Sequence, residues 1–347
     1  MDCASPGSGL IDAVLAHDRG RCLRAWVISD LQQGMPEMIE ECLRIAVDDI
    51  LDLELMPDAI WYLGDATEGR NPAVVERSVA IQMELLGRVQ APVSFIMGNH
   101  DLDCARPQAS GETPILPMWQ AVHGQPGWRT TATCEDFFFI EEHGPWLCVF
   151  ISDHIARDNR WFVNQNRITE REGGSYPHRP EVWQALRERI AAWPGPALIA
   201  GHYAYPGGSR GGPADGVHTR LLPLPDPVRM VLHGHSHIGD FAYGHEQCYR
   251  RLGMVDYQQI IQANVSSLDR TRGSQVRSAI LDLYDDGQLA LFLRDHEDRR
   301  MVDVLLHDAT APQSLSRNHC RHHSRRSPDL PPWIEQRIDK DWWLQQP

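Results

Sequence analysis

Short apolar runs that each stop at a polar residue recur along this chain. Residues 23–28, 59–63, 93–97, 197–200 and 230–232 are too short and too uniformly apolar for amphipathic helices, so they read as strands buried on both faces. Between the first three lie stretches with helical spacing. Ile39, Leu43, Ala46, Val47 and Ile50 share one face of a helix over 38–53, and Val75, Val79, Met83 and Leu86 share one face of a second. This alternation predicts a largely parallel start to a sheet covered by helices, an α/β class. A later helix carries Val182, Leu186, Ile190 and Trp193 and stops before Pro194.

The rest of the chain reads as strands and loops. Residues 137–140 and 146–152 form paired strands around a turn at His143, Gly144 and Pro145. The alternating segments 259–265, 276–284 and 289–293 suit antiparallel strands, the last two joined by a hairpin at Asp285-Asp286-Gly287. Residues 107–127 are rich in Pro and Gly and are expected to form a long loop walling whatever lies at Asp101; 206–213 is a second such loop. Residues before Arg21 carry no pattern. From Ala309 the character changes to a basic run (Arg317, His319, Arg321, His322, His323, Arg325, Arg326) and then a Pro- and Trp-bearing tail. The expected division is one domain over 22–308 and a C-terminal extension over 309–347, laid on the surface or solvated, with a basic flap or a partner-binding segment as the alternative.

The polar residues that end the apolar runs change the picture from fold to chemistry. The runs deliver Asp30 and Gln32, Gly64-Asp65, Gly98-Asn99-His100-Asp101, Gly201-His202, and Gly234-His235-Ser236-His237. In an open α/β sheet strand ends converge on one edge, where sites are built. Carboxylate, carboxamide and imidazole donors without thiolate suit hard-to-borderline divalent cations such as Mn, Fe, Zn or Mg. Two such ions outweigh the charge of Asp30 and Asp65, so the cage stays cationic and attracts hydroxide and phosphate. A shared carboxylate fixes the spacing that two-metal hydrolysis needs, with a bridging water as nucleophile. No G-x-S-x-G elbow is present to offer a serine instead.

Composition narrows the substrate and the compartment. A 42% hydrophobic, 23% charged chain is ordinary globular material, and a net charge of -14 disfavours binding to nucleic acid. The basic residues are almost all Arg, with Lys340 the single lysine. The eight cysteines are scattered without a C-x-x-C pair, which suits a reducing compartment. Neither a secretory leader nor a membrane-length apolar run is apparent, so a cytoplasmic protein is expected.

As a set and in this order, Asp30-x-Gln32, Gly64-Asp65, Gly98-Asn99-His100-Asp101, Gly201-His202 and Gly234-His235-Ser236-His237 resemble the calcineurin-like metallophosphoesterase superfamily. The resemblance implies a four-layer αββα sandwich of two mixed sheets flanked by helices, around a dinuclear metal centre. By motif position, Asp65 would bridge the ions. Asp30, Gln32 and His237 would complete one site, and Asn99, His202 and His235 the other. His100 would meet the scissile phosphate or protonate the leaving oxygen, with Asp101 behind it. Gln32 stands where the superfamily usually has His. Its amide oxygen moves that site toward Mn or Mg, and Asp-x-Gln resembles the manganese-dependent ADP-ribose/CDP-alcohol diphosphatase branch.

The resulting expectation is a dinuclear metal-dependent hydrolase of phosphoester or pyrophosphate bonds in a small nucleotide-type substrate. The alternatives are a cyclic-nucleotide phosphodiesterase or phosphomonoesterase on the same centre, or a non-catalytic interaction module. Arg70, Tyr203 and His154 are the candidate substrate contacts, with Tyr205 beside them, and His233 is expected to face away from the metals.

Overall fold

The computed structural model describes residues 20–32, 35–53, 55–67, 72–103, 116–155, 161–163, 168–170, 180–203, 221, 224–235, 237, 261–270, 275–308 and 320–322. Strands β1 (Arg21–Ile28), β2 (Ala59–Leu63), β3 (Val93–Ile96) and β4 (Trp128–Arg129) run parallel to one another. On the other side of β1 the same sheet continues antiparallel through β13 (Arg277–Tyr284), β14 (Gln288–Asp295), β15 (Arg300–Asp308) and β16 (Cys320–His322). A second sheet has the order β12 (Ile261–Asn264), β11 (Val228–His233), β10 (Ala197–Gly201), β6 (Trp146–Ile151), β5 (Phe138–His143), and only the β5–β6 pair is antiparallel.

Side-chain alternation along each strand builds the layers. Leu23, Ala25 and Val27 of β1 face the second sheet and pack among Cys148, Phe150, Leu198, Ala200, Met230 and Leu232. Trp26 and Ile28 face the other way, onto helices α1 (Pro36–Asp52) and α2 (Pro72–Gly87). In the second sheet Leu147, Val149 and Ile151 turn outward under Trp183, Leu186 and Ile190 of a later helix, Pro180–Ala191. Both faces of both sheets are thus apolar and covered, which is why the strands read as continuous apolar runs. The result is the expected four-layer αββα arrangement of two mixed sheets.

Helix α1 starts at Pro36, whose fixed φ suits the first helical position. It buries Ile39, Leu43, Ala46, Val47 and Ile50, and also Asp49. That carboxylate receives both arms of Arg294 at 2.7 and 2.8 Å and lies 2.8 Å from His296 Nδ1. His296 Nε2 lies 2.6 Å from Ser278 Oγ, which accepts from Trp26 Nε1 at 2.7 Å. This closed polar chain fastens α1 to the first sheet.

Several expectations need correction. Residues 261–264 pair in parallel with β11, because the chain after His233 is long enough to cross over, and alternation by itself does not reveal strand direction. Part of the supposed loop over 107–127 is the short helix Pro117–Val122, which begins at a proline and buries Met118, Trp119 and Val122; residues 107–115 lie outside the described residues. A three-stranded antiparallel sheet of β7 (His154–Ile155), β8 (Trp161–Val163) and β9 (Ile168–Glu170) was not foreseen. Strand β16 puts residues 320–322 on the edge of the first sheet, while the remainder of 309–347 and the loop 206–213 lie outside the described residues. Among the described residues no helix is long and apolar enough to cross a membrane, and Cys22, Cys134 and Cys148 are free thiols.

Candidate metal centre

The ends of β1 and β2, and those of β10 and β11, are laced together by their backbones. The Asp30 N–H donates to Gly64 O at 3.1 Å, Leu31 N–H to Asp65 O at 2.9 Å, and Gly234 N–H to His202 O at 3.2 Å. Four of the seven expected ligands sit at positive φ: Asp30 (57°), Asp65 (53°), His235 (65°) and His237 (50°). Non-glycine residues hold that conformation only where the surroundings over-determine it, and such positions gather at functional sites. Here the left-handed turn swings each side chain off its strand axis toward the common edge.

The recurring glycine before the ligand has a steric cause. A Cβ at Gly234 would stand 2.3 Å from Asp30 Oδ2, and one at Gly98 would stand 2.3 Å from Asp65 Oδ1. At Gly64, with φ of 86°, a Cβ would meet the Gly98 amide nitrogen at 2.6 Å. Neighbouring strand ends, the Asp30 and Asp65 carboxylates among them, occupy the space that side chains there would need.

Each carboxylate has one oxygen tied and one turned inward. Asp30 Oδ2 accepts from the His235 N–H at 2.8 Å, and Asp65 Oδ1 from the His100 N–H at 2.8 Å. The inward oxygens meet imidazoles: Asp65 Oδ2 lies 3.0 Å from His202 Nε2, and Asp30 Oδ1 lies 3.2 Å from His237 Nε2. His202 Nδ1 lies 2.7 Å from Leu63 O, an acceptor that fixes the tautomer with Nε2 toward the cluster. Ser267 Oγ at 3.2 Å and Asp269 at 3.8 Å flank His237 Nδ1, while Gln32 Nε2 lies 3.2 Å from His237 Nε2. Asp65, His202 and His235 offer ligand atoms within 4.8 Å of one another.

Despite that crowding, Asp30 Oδ1, Gln32 Oε1, Asp65 Oδ2 and His202 Nε2 are buried without a hydrogen-bond partner. Asp65 Oδ2 and His202 Nε2, and Asp30 Oδ1 and His237 Nε2, stand close as charges without forming aligned hydrogen bonds. Leaving one buried polar atom unpaired costs about 1–3 kcal/mol, so four in one place call for a ligand. Oxygen and imidazole nitrogen donors, with no thiol among them, fit divalent cations of the Mn, Fe, Zn or Mg kind.

The electrostatics agree. Burial alone would raise Asp65, yet His202 holds its carboxyl well below the usual carboxylate range. Burial alone would lower His202, but Asp65 overrides it and lifts the imidazole to about 10. Asp30, also buried, is held down by His237. The buried carboxylates therefore demand positive charge between them. His235 lacks such a partner, and burial followed by repulsion from His202 takes it down to about 3, keeping a neutral lone pair.

Asn99, His100 and His235 are partly exposed, whereas Asp30, Gln32, Asp65, His202 and His237 are buried, so the first three mark the mouth. Asn99 joins the cluster through Tyr203, whose hydroxyl donates to Asn99 Oδ1 at 2.8 Å. Tyr203 is only 2% exposed, which withdraws it from the substrate contact expected of it. Asp101 ties its two oxygens to the strand exits. Its Oδ1 accepts from Ala66 N, Thr67 N and Thr67 Oγ1, and its Oδ2 from Gly98 N, so it staples the β2 exit to the β3 exit. Burial, then Asp65, raises it to about 7. His154 is buried with its ring 5.7 Å from Phe137, itself stacked on Trp183, so it packs the core instead of lining the cleft. His233 lies outside the Asp65–His202–His235 group, with Nδ1 beside Gly234 O and Asn264, and burial lowers it to about 4. Arg70 and Tyr205 lie outside the described residues.

Sequence reasoning missed Ser267 and Asp269 behind His237. Their signal was weak: 261–265 alternates apolar and polar residues, unlike the apolar runs that deliver the other ligands, before it ends in Ser266-Ser267-Leu268-Asp269.

The calcineurin-like phosphoesterase family model matches residues 23–239. No curated protein matches the sequence. Among solved structures, a dimetal phosphatase from Danio rerio is similar at 13% identity and a TM-score of 0.51, over 80% of this chain and 97% of that one. A purple acid phosphatase from yellow lupin (Lupinus luteus) seeds is similar at 12% identity and a TM-score of 0.50, over 88% of this chain and 57% of that one. At such identities the likeness speaks for the fold.

Proposed function

The chain belongs to the calcineurin-like phosphoesterase family, and from that premise we propose that it hydrolyses a phosphoester or pyrophosphate bond in a small, nucleotide-type substrate with the help of two divalent metal ions. That it is a phosphoester hydrolase follows from the family. The substrate class and the ligand roles are the proposal. The observation that carries it is the convergence of four buried, unpartnered donor atoms on Asp30, Gln32, Asp65 and His202.

In this reading Asp65 would be shared by both ions, Asp30, Gln32 and His237 would hold one, and Asn99, His202 and His235 would hold the other. When bound, such ions polarise phosphoryl oxygens and lower the pKa of a water between them. The chain's own residues do the rest. The Leu63 carbonyl and Ser267 hold the imidazoles of His202 and His237 in the ligating orientation. The Gly-bounded strand ends keep Asp30 and Asp65 rigid, so little reorganisation is needed as charge develops. His100, partly exposed and donating its backbone N–H to Asp65 Oδ1, stands at the mouth, where its imidazole would meet the substrate phosphate or give a proton to the leaving oxygen. The Gln32 amide oxygen favours Mn, and the net charge of -14 favours a small substrate over nucleic acid.

The test is metal content together with hydrolysis of ADP-ribose, CDP-choline, cyclic AMP and p-nitrophenyl esters in Mn. Two ions per chain and turnover of a diphosphate-linked nucleotide are expected, with loss of that turnover in Asn99→Ala and His235→Ala. Selective turnover of cyclic AMP or of a p-nitrophenyl ester would move the substrate class. Unchanged turnover in both variants would overturn the site.

A further inference from the structure

Tyr203 touches three residues that the proposed function assigns to the same ion. Its hydroxyl donates to Asn99 Oδ1 at 2.8 Å; its ring meets the His202 ring edge-on at 5.0 Å between centroids and leans on the His235 ring at 4.3 Å. It follows directly on His202 past the end of β10 and is almost wholly buried. The cation is indifferent to a phenyl ring at that place, but Asn99 is not indifferent to a phenol. A carboxamide is nearly symmetric in shape, and its two ends differ wholly in chemistry: the oxygen can ligate a cation, and the NH2 repels one.

We propose that Tyr203 is a positioning residue that locks the Asn99 carboxamide with its oxygen toward the metal centre and braces the His202 and His235 rings beside it. The inference rests on the assignment of Asn99, His202 and His235 to one ion. The oxygen has two lone pairs; the phenol engages one and leaves the other for the ion. Removing the hydroxyl frees the amide to rotate about its terminal torsion, which is broad and roughly two-fold, and half of that range turns the wrong end inward. The ring contacts act differently. They narrow the freedom of His235, whose backbone at φ 65° already sets its direction. Partners that orient metal ligands in this way are commonly worth about 10–100-fold in metal affinity.

The experiment is calorimetric titration of metal-free protein with Mn, paired with electron paramagnetic resonance at half and full loading. The unaltered chain should take two ions and show a spin-coupled signal at full loading. Tyr203→Phe keeps the ring and loses only the hydroxyl. It should retain one tight ion, bind the second about tenfold more weakly, and show isolated Mn where the coupled signal had been. The thermal midpoint of the metal-free variant should fall by no more than one lost hydrogen bond explains, whereas a role in packing alone would move the midpoint further and spare the stoichiometry. Asn99→Asp supplies the second arm, because a carboxylate has no wrong end: in that background Tyr203→Phe should cost little further affinity. Two equally tight ions in Tyr203→Phe would overturn the proposal, as would an equal loss in the Asn99→Asp background. If the unaltered chain itself fails to take two ions, the metal assignment beneath the proposal is what fails, and the same titration shows it.

Discussion

An alanine at Gly98 would carry its Cβ to 2.3 Å from Asp65 Oδ1, 2.7 Å from the Asp65 amide nitrogen and 3.0 Å from Asp65 Cγ. Ordinary contact begins near 3.4 Å, so the oxygen must withdraw by about 1 Å. Rotating the carboxylate does not suffice, because the amide nitrogen is backbone. Either the β3 exit moves away from the β2 exit or Asp65 leaves its place, and both routes strain the bond from His100 N–H to Oδ1. Overpacking of this kind costs about 1–3 kcal/mol, and a hydrogen bond to a charged group is worth about 1.5–3 kcal/mol. Gly98→Ala should therefore lose about 2–4 kcal/mol in urea unfolding. Displacing a group that reacting atoms depend on by about 1 Å can cost about a hundredfold in turnover, and Mn affinity should fall with it. Gly87→Ala is the matched control: a Cβ there meets nothing within 4 Å, and the exchange in a helix is neutral or stabilising by up to about 1 kcal/mol. Wild-type Mn affinity and turnover in Gly98→Ala would refute the steric account of the glycine that precedes each ligand.

Two further predictions concern the frame that carries the site. Burial holds His296 below its ordinary 6.5; Asp49, which burial would raise, is held below 3.8 by Arg294 and His296. Both groups bind protons less readily folded than unfolded, so their stabilisation is complete above about pH 6.5 and is lost as pH falls. Urea-unfolding free energy should drop between about pH 6.5 and 5, less steeply in His296→Gln; equal slopes would exclude His296 as a source. Arg24 of β1 and Asp282 of β13 form a buried bidentate pair at 2.5 and 2.7 Å. Asp282→Ala alone should cost about 3–5 kcal/mol, while Arg24→Met with Asp282→Leu should be close to neutral; a double variant as unstable as the single one would contradict this.

The short buried strands, the helices over the first sheet and the polar residues at the strand ends were legible because each left a local mark. Asp30, Asp65, Asn99, His202 and His235 all follow an apolar run, the last four directly after a glycine, and at Gly64, Gly98 and Gly234 a neighbouring strand end fills the Cβ space. What stayed hidden depends on partners far along the chain. Nothing near Tyr203 reveals that its hydroxyl meets an amide 104 residues earlier, so it read as a substrate contact. Asp101 looked like the companion of His100 because the two are adjacent, yet its four donors belong to Gly98, Ala66 and Thr67. Residues 261–264 show the same limit at the level of fold: whether they run with or against β11 is decided by the crossover before them. Asp49 broke the apolar face of α1 and would have counted against that helix, had Arg294 and His296 not come from β14 and its end to meet it.

The chain holds a second cluster that, by residue type, looks at least as catalytic as the first. Ser278 Oγ, His296 Nε2 at 2.6 Å, His296 Nδ1 and Asp49 Oδ2 at 2.8 Å follow the bond order of a serine hydrolase triad. Two properties disqualify it. Ser278, His296 and Asp49 are each at most 1% exposed, so no carbonyl or phosphoryl group can reach the hydroxyl. Trp26 and Arg294 also complete its bonding, and none of its buried side-chain atoms lacks a partner. The strand-end cluster is the reverse. Four of its buried donors are unsatisfied, and Asn99, His100 and His235 open it to solvent. Residue identity nominates both clusters equally; unfilled bonding capacity at an accessible edge selects one. The closed network stabilises the packing of α1 on the sheet, and the open one keeps its donors strained and unpaired for a ligand that the fold does not itself supply.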